Sequence, residues 1–180
     1  MKNIILLLTL TLSLSCCNKD DNPFSSNDQL PAETQTGANT VGCLVDGNIF
    51  LPRSQGLNQG INCFYQLENG EFYFNITCAD FKGVIPKGVV VETRRVNLQV
   101  GQTYTLNKNT TDNGDFQGGG GNYDIGANDR HFTNTIKTGE LKITRLDLQN
   151  SIISGTFWFD AVNSSGETVQ IRSGRFDCNY

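Results

Sequence analysis

Residues 61–78, with the sequence INCFYQLENGEFYFNITC, decide the fold class of this chain. Apolar and polar side chains alternate on both sides of Asn69-Gly70, which is the period of a half-buried β-strand. The Asn-Gly pair favours a two-residue type I′ turn, because both of its residues accept a positive φ. Such a turn sets Leu67 opposite Phe72, so that the apolar faces of the two strands coincide. The stretch therefore predicts a β-hairpin.

The same signals recur along the chain outside this hairpin. Apolar runs at 41–45 and 48–51 flank Asp46-Gly47, another pair that suits a type I′ turn, and Pro52 then ends the pairing. Many short strands separated by turns predict an all-β domain, and we expect an antiparallel β-sandwich. Further strands are predicted at 89–92, 95–100, 102–106, 122–125, 140–148, 151–161 and 167–180.

Composition supports this class and excludes one kind of partner. The chain has 19 glycines, and only 37% of its residues are hydrophobic, which fits a protein rich in turns. Its net charge is −4, from 14 basic and 18 acidic residues. A nucleic-acid partner is not expected, because phosphate neutralisation requires a basic face.

The aromatic side chains could either pack in the core or form an exposed surface on which a ligand stacks. Phe157 and Phe159 flank Trp158, which predicts a central strand that is covered on both faces and a Trp158 ring in the core. Sugar rings stack on exposed aromatic side chains, but core packing explains most of these rings at less cost. The rings considered for such a surface are Tyr65, Tyr73, Tyr104, Tyr123 and Trp158.

The first 17 residues, MKNIILLLTLTLSLSCC, have the form of a secretory signal. The apolar run is too short to span a membrane, which requires about 20 apolar residues. Its end resembles a bacterial lipobox, with Leu14 three residues before a lipid-modified Cys17. Cys16 is the alternative acceptor, although it would place Ser13 at the apolar position. We therefore expect residues 1–16 to be a lipoprotein signal peptide.

The residues after Cys17 predict a location. Asn18, Lys19, Asp20, Asp21 and Asn22 follow directly and resemble the surface-export signal of Bacteroidota lipoproteins. Residues 17–40 have the composition of a flexible tether, which assigns the folded domain to 41–180. Because two or more acyl chains anchor a protein stably, we expect attachment to the outer membrane through the N-terminal lipid, facing the cell surface. The periplasmic face of that membrane is the alternative.

Two segments of the domain carry a family resemblance. TQTGANTVGCLVDGNIFLP at 34–52 and ISGTFWFDAVNSSGETVQIRSGRFDCNY at 153–180 are similar to an uncharacterised family of Bacteroidota lipoproteins. Its members share a Gly-Cys-Leu-Val-x-Gly opening and a Gly-Arg-Phe-Asp close. The resemblance covers roughly 34–52 and 138–180. It implies an envelope lipoprotein with a β-rich domain, and it implies no activity and no catalytic residues.

Four cysteines lie inside the predicted domain, where an oxidising compartment permits disulfides. Cys63 and Cys78 lie on the same face of the predicted hairpin, one step from directly opposite, and a Cys63–Cys78 disulfide is therefore favoured. Cys43–Cys178 would then join the first strand to the last. Free buried thiols are the alternative. The spacing lacks a Cys-x-x-Cys pair, and His131 is the only histidine, so a zinc site is not expected.

The stretch from Asp112 to Asp124 is the least regular part of the domain. Asp112, Asp115 and Asp124 are weak candidates for Ca²⁺ ligands, because their spacing does not follow an Asp-x-Asp-x-Asp-Gly loop. The glycines at 118–121 predict a loop built of turn residues, and no Gly-Lys-Ser/Thr follows them to cradle a phosphate. No metal and no cofactor are expected.

The sequence does not predict an enzyme. A catalytic triad requires a base beside a nucleophile, and His131 is expected instead in a loop or at a strand edge. Asp160 and Asp177 are expected to bond to backbone groups or to Arg172 and Arg175, and they are not expected to form a glycosidase pair with Asp147. We expect a non-catalytic binding domain for an envelope protein, a glycan or another envelope component. The alternative is a structural or accessory lipoprotein that has no ligand of its own.

Overall fold

The computed structural model describes residues 29–111 and 116–180 of the chain. Within these ranges the fold is all-β, with eleven strands and no helix. The predicted fold class is therefore confirmed. The strands are β1 Thr40–Val45, β2 Asn48–Phe50, β3 Ile61–Glu68, β4 Glu71–Asp80, β5 Lys87–Arg94, β6 Thr103–Lys108, β7 Gly118–Ile125, β8 Asp129–Phe132, β9 Gly139–Asp147, β10 Ile152–Val162 and β11 Thr168–Asn179.

Both hairpins predicted from the sequence are confirmed. Asp46 and Gly47 join β1 to β2 with φ angles of 48° and 81°. Asn69 and Gly70 join β3 to β4 with φ angles of 51° and 84°. Both pairs are thus left-handed, as a type I′ turn requires. Leu67 lies opposite Phe72, so the β3–β4 hairpin has the predicted register.

The strands form one continuous sheet with the order β2-β1-β11-β10-β9-β6-β7-β5-β4-β3. β8 lies off this path, where it pairs with β7 and contacts β10. The pairings are antiparallel except for β6 with β7, which is parallel, so the sheet is mixed. β10 and β11, with 11 and 12 residues, are the longest strands, and they lie where the sequence predicts strands at 151–161 and 167–180.

The two halves of the sheet pack face to face around one core. Phe74 of β4 contacts Phe176 of β11, with 5.6 Å between the ring centroids. Phe50 of β2 and Tyr123 of β7 meet edge to face, with centroids 6.1 Å apart. Because contacts of this kind join both halves, the sheet has the layered arrangement of a β-sandwich. Its core is largely aliphatic and aromatic.

The strand predicted at 95–100 is wrong. Those residues form a connection that leaves the sheet at Arg95, whose φ is +58°. Val96 of this segment packs against the core, and Leu98 is buried. Its backbone N–H donates to the Tyr65 hydroxyl at 3.1 Å. The alternation in this segment therefore reflects two apolar residues that anchor a loop to the core, and not a strand.

The glycines at 118–121 form a strand and not the loop predicted from them. They belong to β7, which pairs with β5 on one side and with β6 and β8 on the other. A Cβ atom on Gly120 would lie 2.5 Å from the Lys108 carbonyl oxygen. A Cβ atom on Gly121 would lie 2.8 Å from the Phe159 ring. Glycine is needed here because neighbouring chains approach too closely for a side chain.

The core placement predicted for Trp158 is also wrong. Phe157 and Phe159 are buried, but Trp158 points to the opposite face of β10 and is 37% exposed. The Arg172 guanidinium stacks over the indole at 5.3 Å from its centroid, and the indole N–H donates to Glu140 at 3.2 Å. The strand is thus covered by the core on one face and by polar side chains on the other.

Part of the segment assigned to the tether is held against the domain. The Thr34 hydroxyl donates to the Asp177 carboxylate at 2.7 Å, and the backbone N–H groups of Thr36 and Gly37 donate to it at 2.8 Å. Ala38 adds a fourth donor at 3.1 Å. Residues 34–38 therefore lie on the sheet ahead of β1, and the ordered domain begins before residue 41.

Candidate functional site

A polar cleft lies beside β8 and is the candidate functional site. Its volume is about 620 Å³, and it lies between β8, the turn from β10 to β11, and the connection that follows β6. Residues from all three segments contribute amide, hydroxyl or carboxylate groups, including Asn109, Thr111, Asp129, Asn163, Ser165 and Glu167. We refer to this feature as the polar cleft.

The short strand β8 supplies one wall of the polar cleft. Pairing with β7 sets His131 opposite Tyr123 and Asp129 opposite Ile125. Because side chains alternate along a strand, Asp129 and His131 share one face, and Arg130 lies on the other. Arg130 is bonded to Asp124 at 3.0 Å, and its guanidinium lies 5.0 Å from the centre of the Phe132 ring.

The turn between β10 and β11 supplies the opposite wall and is organised by Asn163. The Asn163 side-chain oxygen accepts hydrogen bonds from the backbone N–H groups of Ser165 at 3.0 Å and Glu167 at 2.9 Å. Its amide nitrogen donates to the carboxylates of Asp129 at 3.0 Å and Glu167 at 2.8 Å. One side chain thus fixes the turn and brings two carboxylates together.

His131 is buried behind these carboxylates and is 5% exposed. Its Nδ1 atom lies 3.5 Å from an Asp129 carboxylate oxygen. No group among the described residues forms a hydrogen bond with that nitrogen. One ligand atom from each of Asp129, His131 and Glu167 lies within 4.8 Å of the other two. We call these three residues the β8 cluster, and their side chains have the chemistry of metal ligands.

Comparison with known proteins places this region inside a defined family. Residues 87–177 match the family described as Domain of unknown function (DUF6252). The chain belongs to this family. The matched region runs from β5 into β11 and includes the whole β8 cluster. It also includes most of the second segment of the resemblance found in the sequence, but not residues 34–52. No curated protein and no solved structure shows a significant match to the chain.

Several residues predicted to be functional lie outside the described part of this DUF6252 protein. They are Cys17 with its alternative Cys16, the export signal Asn18, Lys19, Asp20, Asp21 and Asn22, and the candidate calcium ligands Asp112 and Asp115. The remaining calcium candidate, Asp124, is in β7, where its carboxylate is bonded to Arg130 and to Asn122. None of the described residues forms a helix with the length and hydrophobicity needed to cross a membrane.

The four cysteines of the DUF6252 chain that are described converge on the core as free thiols. The predicted disulfides Cys63–Cys78 and Cys43–Cys178 stay predictions. Register sets Cys63 opposite Ile76. The Cys63 thiol instead lies beside Cys178, and its interaction with that thiol together with burial raises the pKa of Cys63. The Cys178 thiol donates to the Thr40 carbonyl oxygen at 3.7 Å. Burial raises the pKa of Cys43 to about 12, so that thiol is protonated at neutral pH.

The acidic residues considered for catalysis have separate partners. Asp160 is bonded to Arg172 at 2.6 Å, and Asp147 to Arg145 at 2.8 Å. Asp177 accepts hydrogen bonds from backbone groups, as predicted, and from the Ser154 hydroxyl at 2.7 Å. The prediction that Asp160 and Asp177 bond to backbone or arginine groups is therefore confirmed.

The β8 cluster was missed by sequence reasoning. His131 was expected in a loop or at a strand edge, but it lies within β8 and is buried. The sequence did indicate part of the cluster, because Asp129 and His131 are two residues apart and therefore lie on one face of a strand. Glu167 gave no such signal, since only the packing of β8 against the end of β10 brings its turn into contact.

Proposed function

We propose that this protein is a lipid-anchored envelope protein of the Bacteroidota whose β domain is a non-catalytic binding module for a glycan. The observation that carries the proposal is the polar cleft of about 620 Å³, a size typical of small-ligand sites. Amide, hydroxyl and carboxylate groups dominate its lining. These groups pair with sugar hydroxyls, each of which both donates and accepts hydrogen bonds.

The cleft also offers limited apolar contact of the kind that a sugar ring uses. Phe132 and Val162 lie in its wall and are paired to each other across β8 and β10. Asn109 and Thr111 stand on the connection after β6, where the Asn109 side chain accepts hydrogen bonds from the Thr111 backbone at 3.0 Å and hydroxyl at 2.7 Å. The cleft therefore combines fixed polar groups with a small apolar wall.

The binding experiment uses the full chain extracted in detergent and applied to an array of bacterial envelope glycans and host polysaccharides. We expect saturable binding that Asn109→Ala weakens about tenfold, which corresponds to one lost hydrogen bond of about 1.4 kcal/mol. Asn62→Ala on the exposed part of β3 is the matched control and should bind as the natural protein does. Bound glycan should be recovered intact, whereas cleaved glycan would contradict a non-catalytic role.

The alternative is a structural or accessory lipoprotein without a ligand of its own. It predicts no glycan hit and a stable envelope protein in a pull-down from detergent-solubilised membranes. Asn109→Ala would then leave partner recovery unchanged, because the polar cleft would have no part in the complex. This combination of results would replace the binding proposal.

The anchor is tested separately by the intact mass of protein extracted from membranes. We expect loss of residues 1–16 and added acyl mass on Cys17, with Cys17→Ser accumulating as unprocessed precursor. Normal processing of that variant would move the lipid to Cys16. Protease treatment of intact cells distinguishes the cell surface from the periplasmic face, and substitution of Lys19, Asp20 and Asp21 by Ala should protect the domain.

The same mass measurement reports disulfides in an exported chain. We propose up to two, and peptide mapping under non-reducing conditions decides their pairing. The sequence favours Cys63–Cys78 with Cys43–Cys178. The proximity of the Cys63 and Cys178 thiols, which contributes to the raised pKa of Cys63, instead favours a Cys63–Cys178 link. Cys78 would then pair with Cys43, which lies close enough to raise the pKa of Cys78 in addition to burial.

A further inference from the structure

We propose that the β8 cluster, Asp129, His131 and Glu167, binds a first-row divalent transition metal, with zinc as the best match. The metal would sit between β8 and the β10–β11 turn, at the wall of the polar cleft. This inference goes beyond glycan binding and does not depend on it. A zinc site is not expected from the sequence, because the chain lacks a Cys-x-x-Cys pair and has a single histidine.

The strongest observation is the buried imidazole of His131. Its side chain is 7% exposed, and no described group forms a hydrogen bond with Nδ1. A buried polar atom without a partner lowers stability, so native proteins seldom leave one. Asp129 does not remove this cost, because 3.5 Å exceeds an ordinary hydrogen bond between nitrogen and oxygen. A cation between the two atoms would satisfy both.

The spacing of the ligand atoms fits a small cation. Zinc bonds to histidine nitrogen and carboxylate oxygen are about 2.1 Å long. With bonds of that length, the 3.5 Å between Nδ1 and the Asp129 oxygen corresponds to an angle of about 113° at the metal, close to tetrahedral. The third ligand atom lies no more than 4.8 Å away. Glu167 is exposed just before β11, and a small rotation of its side chain that keeps the hydrogen bond to Asn163 would close that distance.

Surrounding groups already hold the ligands in place. The Asn163 amide donates to Asp129 at 3.0 Å and to Glu167 at 2.8 Å, so one side chain orients both carboxylates. Partners of this kind, which hold the ligands without touching the metal, raise the affinity of metal sites. β8 itself is fixed by its pairing with β7 and its contact with β10. Two of the three ligands therefore stand on a strand that is paired on one side and held on the other.

The ligand set selects among metals. One imidazole and two carboxylates suit zinc and its neighbours, whereas Ca²⁺ and Mg²⁺ prefer oxygen ligands alone. Three protein ligands leave a tetrahedral metal one further position, which would face the polar cleft because Asp129 and Glu167 line it. A water molecule or a ligand oxygen would occupy that position.

The first experiment uses the single histidine as a reporter. The full chain in detergent, labelled with ¹⁵N-histidine, carrying no histidine tag and stripped with a chelator, is titrated with ZnCl₂. Because His131 is the chain's one histidine, its two ring signals need no assignment among residues. We expect one equivalent of zinc to shift the Nδ1 signal to that of a metal-bound nitrogen. CaCl₂ at the same concentration should leave it unchanged.

The second experiment measures zinc affinity by calorimetry in matched variants. Glu167→Gln and Asp129→Asn should each weaken binding at least tenfold. Glu140→Gln, which changes an exposed glutamate that bonds to Trp158 on the outer face of β10, should bind zinc as the natural protein does. Zinc binding with an unshifted Nδ1 signal, or with equal affinity in all three variants, would assign the metal to other groups and overturn the proposal. Absence of zinc binding would overturn it as well.

Discussion

Two regions of this molecule each bury an ionisable side chain, and they treat it in opposite ways. Asp177 is 1% exposed and accepts hydrogen bonds from Thr34, Ser154 and the backbone of 36–38. We call this arrangement the Asp177 clasp. His131 in the β8 cluster is buried to a similar degree, but its Nδ1 atom has no hydrogen-bond partner among the described residues.

The presence or absence of hydrogen-bond partners distinguishes Asp177, which has a structural role, from His131, which is a candidate functional residue. Donors that surround a buried carboxylate stabilise its charged form and hold the chain in one arrangement, which in the Asp177 clasp ties the segment ahead of β1 to β11. A buried nitrogen without a partner contributes nothing to the fold and lowers stability. Its retention is explained if a ligand completes it, as proposed for zinc. The predictions that follow test this contrast.

Asp177→Asn should have the largest effect, because it places an amide N–H₂ among donors that require an acceptor. We expect the free energy of unfolding to fall by about 3 kcal/mol, the scale for hydrogen bonds to a buried charged group. Denaturant unfolding of the full chain in detergent measures the change. Asp160→Asn is the matched control, since that carboxylate pairs with Arg172 at the surface, and it should lose only about 0.5 kcal/mol. Equal losses would remove the distinction between the two carboxylates.

The pH dependence of stability should also show that the charged form of Asp177 stabilises the fold. Burial alone would raise the pKa of Asp177, but the hydrogen bonds from Thr34, Ser154 and the backbone of Thr36 and Gly37 outweigh burial and hold the pKa well below its usual range. A carboxylate with a lowered pKa stabilises the fold above its unfolded pKa of about 3.9, and this stability is lost as the pH falls below that value.

The measurement compares unfolding free energies of the natural protein and Asp177→Asn between pH 6 and pH 2. We expect their difference to be constant from about pH 6 to pH 5 and to shrink steadily below about pH 4. Other carboxylates, such as Asp80 beside Arg53, titrate in both proteins and cancel in the difference. A difference that stayed constant to pH 2 would show that Asp177 does not hold its charge through the clasp.

The fold was predictable where neighbouring residues determine the structure, as in the two hairpins, and not where distant residues do, as in β8. The turns at Asp46-Gly47 and Asn69-Gly70 fix their hairpins through residues that adopt positive φ, so both registers could be read from the sequence. β8 has the sequence Asp-Arg-His-Phe, with no apolar alternation, and it forms only because β7 and β10 offer partners. The glycines of β7 were misread for the same reason, since their neighbours come from distant parts of the chain.

The candidate site was less predictable than the fold because it depends on one long-range contact. Phe132 pairs with Val162, and this sets β8 beside the turn that contains Asn163 and Glu167. The sequence places Asp129 and His131 on one face but gives no sign that Glu167 joins them. The Asp177 clasp could not be predicted either. Its donors at 36–38 are backbone N–H groups, and the sequence does not indicate which distant residue they contact.

His131→Phe should test the other side of the comparison in metal-free protein. Replacing an unpartnered imidazole by an apolar ring of similar shape removes a buried polar atom, which offsets any loss of packing. We expect the free energy of unfolding to change by less than about 1 kcal/mol in the presence of a chelator. In zinc, the natural protein should become more stable, whereas this variant should not, because binding to the native state alone stabilises it.

Thr133→Val is the control for that substitution, because Thr133 is also buried but fully paired. Its hydroxyl donates to the Lys108 carbonyl at 2.6 Å and accepts from the Gly121 N–H at 3.0 Å. Losing both bonds should cost about 2 kcal/mol, since Val keeps the shape and removes the polar atom. A larger loss in His131→Phe than in Thr133→Val would indicate that the imidazole is partnered in the metal-free protein.

Trp158→Phe should have a small effect, similar to that of Asp160→Asn, and it measures the contribution of a polar contact outside the core. The substitution keeps a ring beneath Arg172 and removes the hydrogen bond from the indole N–H to Glu140. Because that bond is exposed to solvent, water replaces it, and we expect a loss of about 0.5 kcal/mol in denaturant unfolding. A loss above about 2 kcal/mol would mean that the outer face of β10 is covered in solution, since only a buried indole contributes that much.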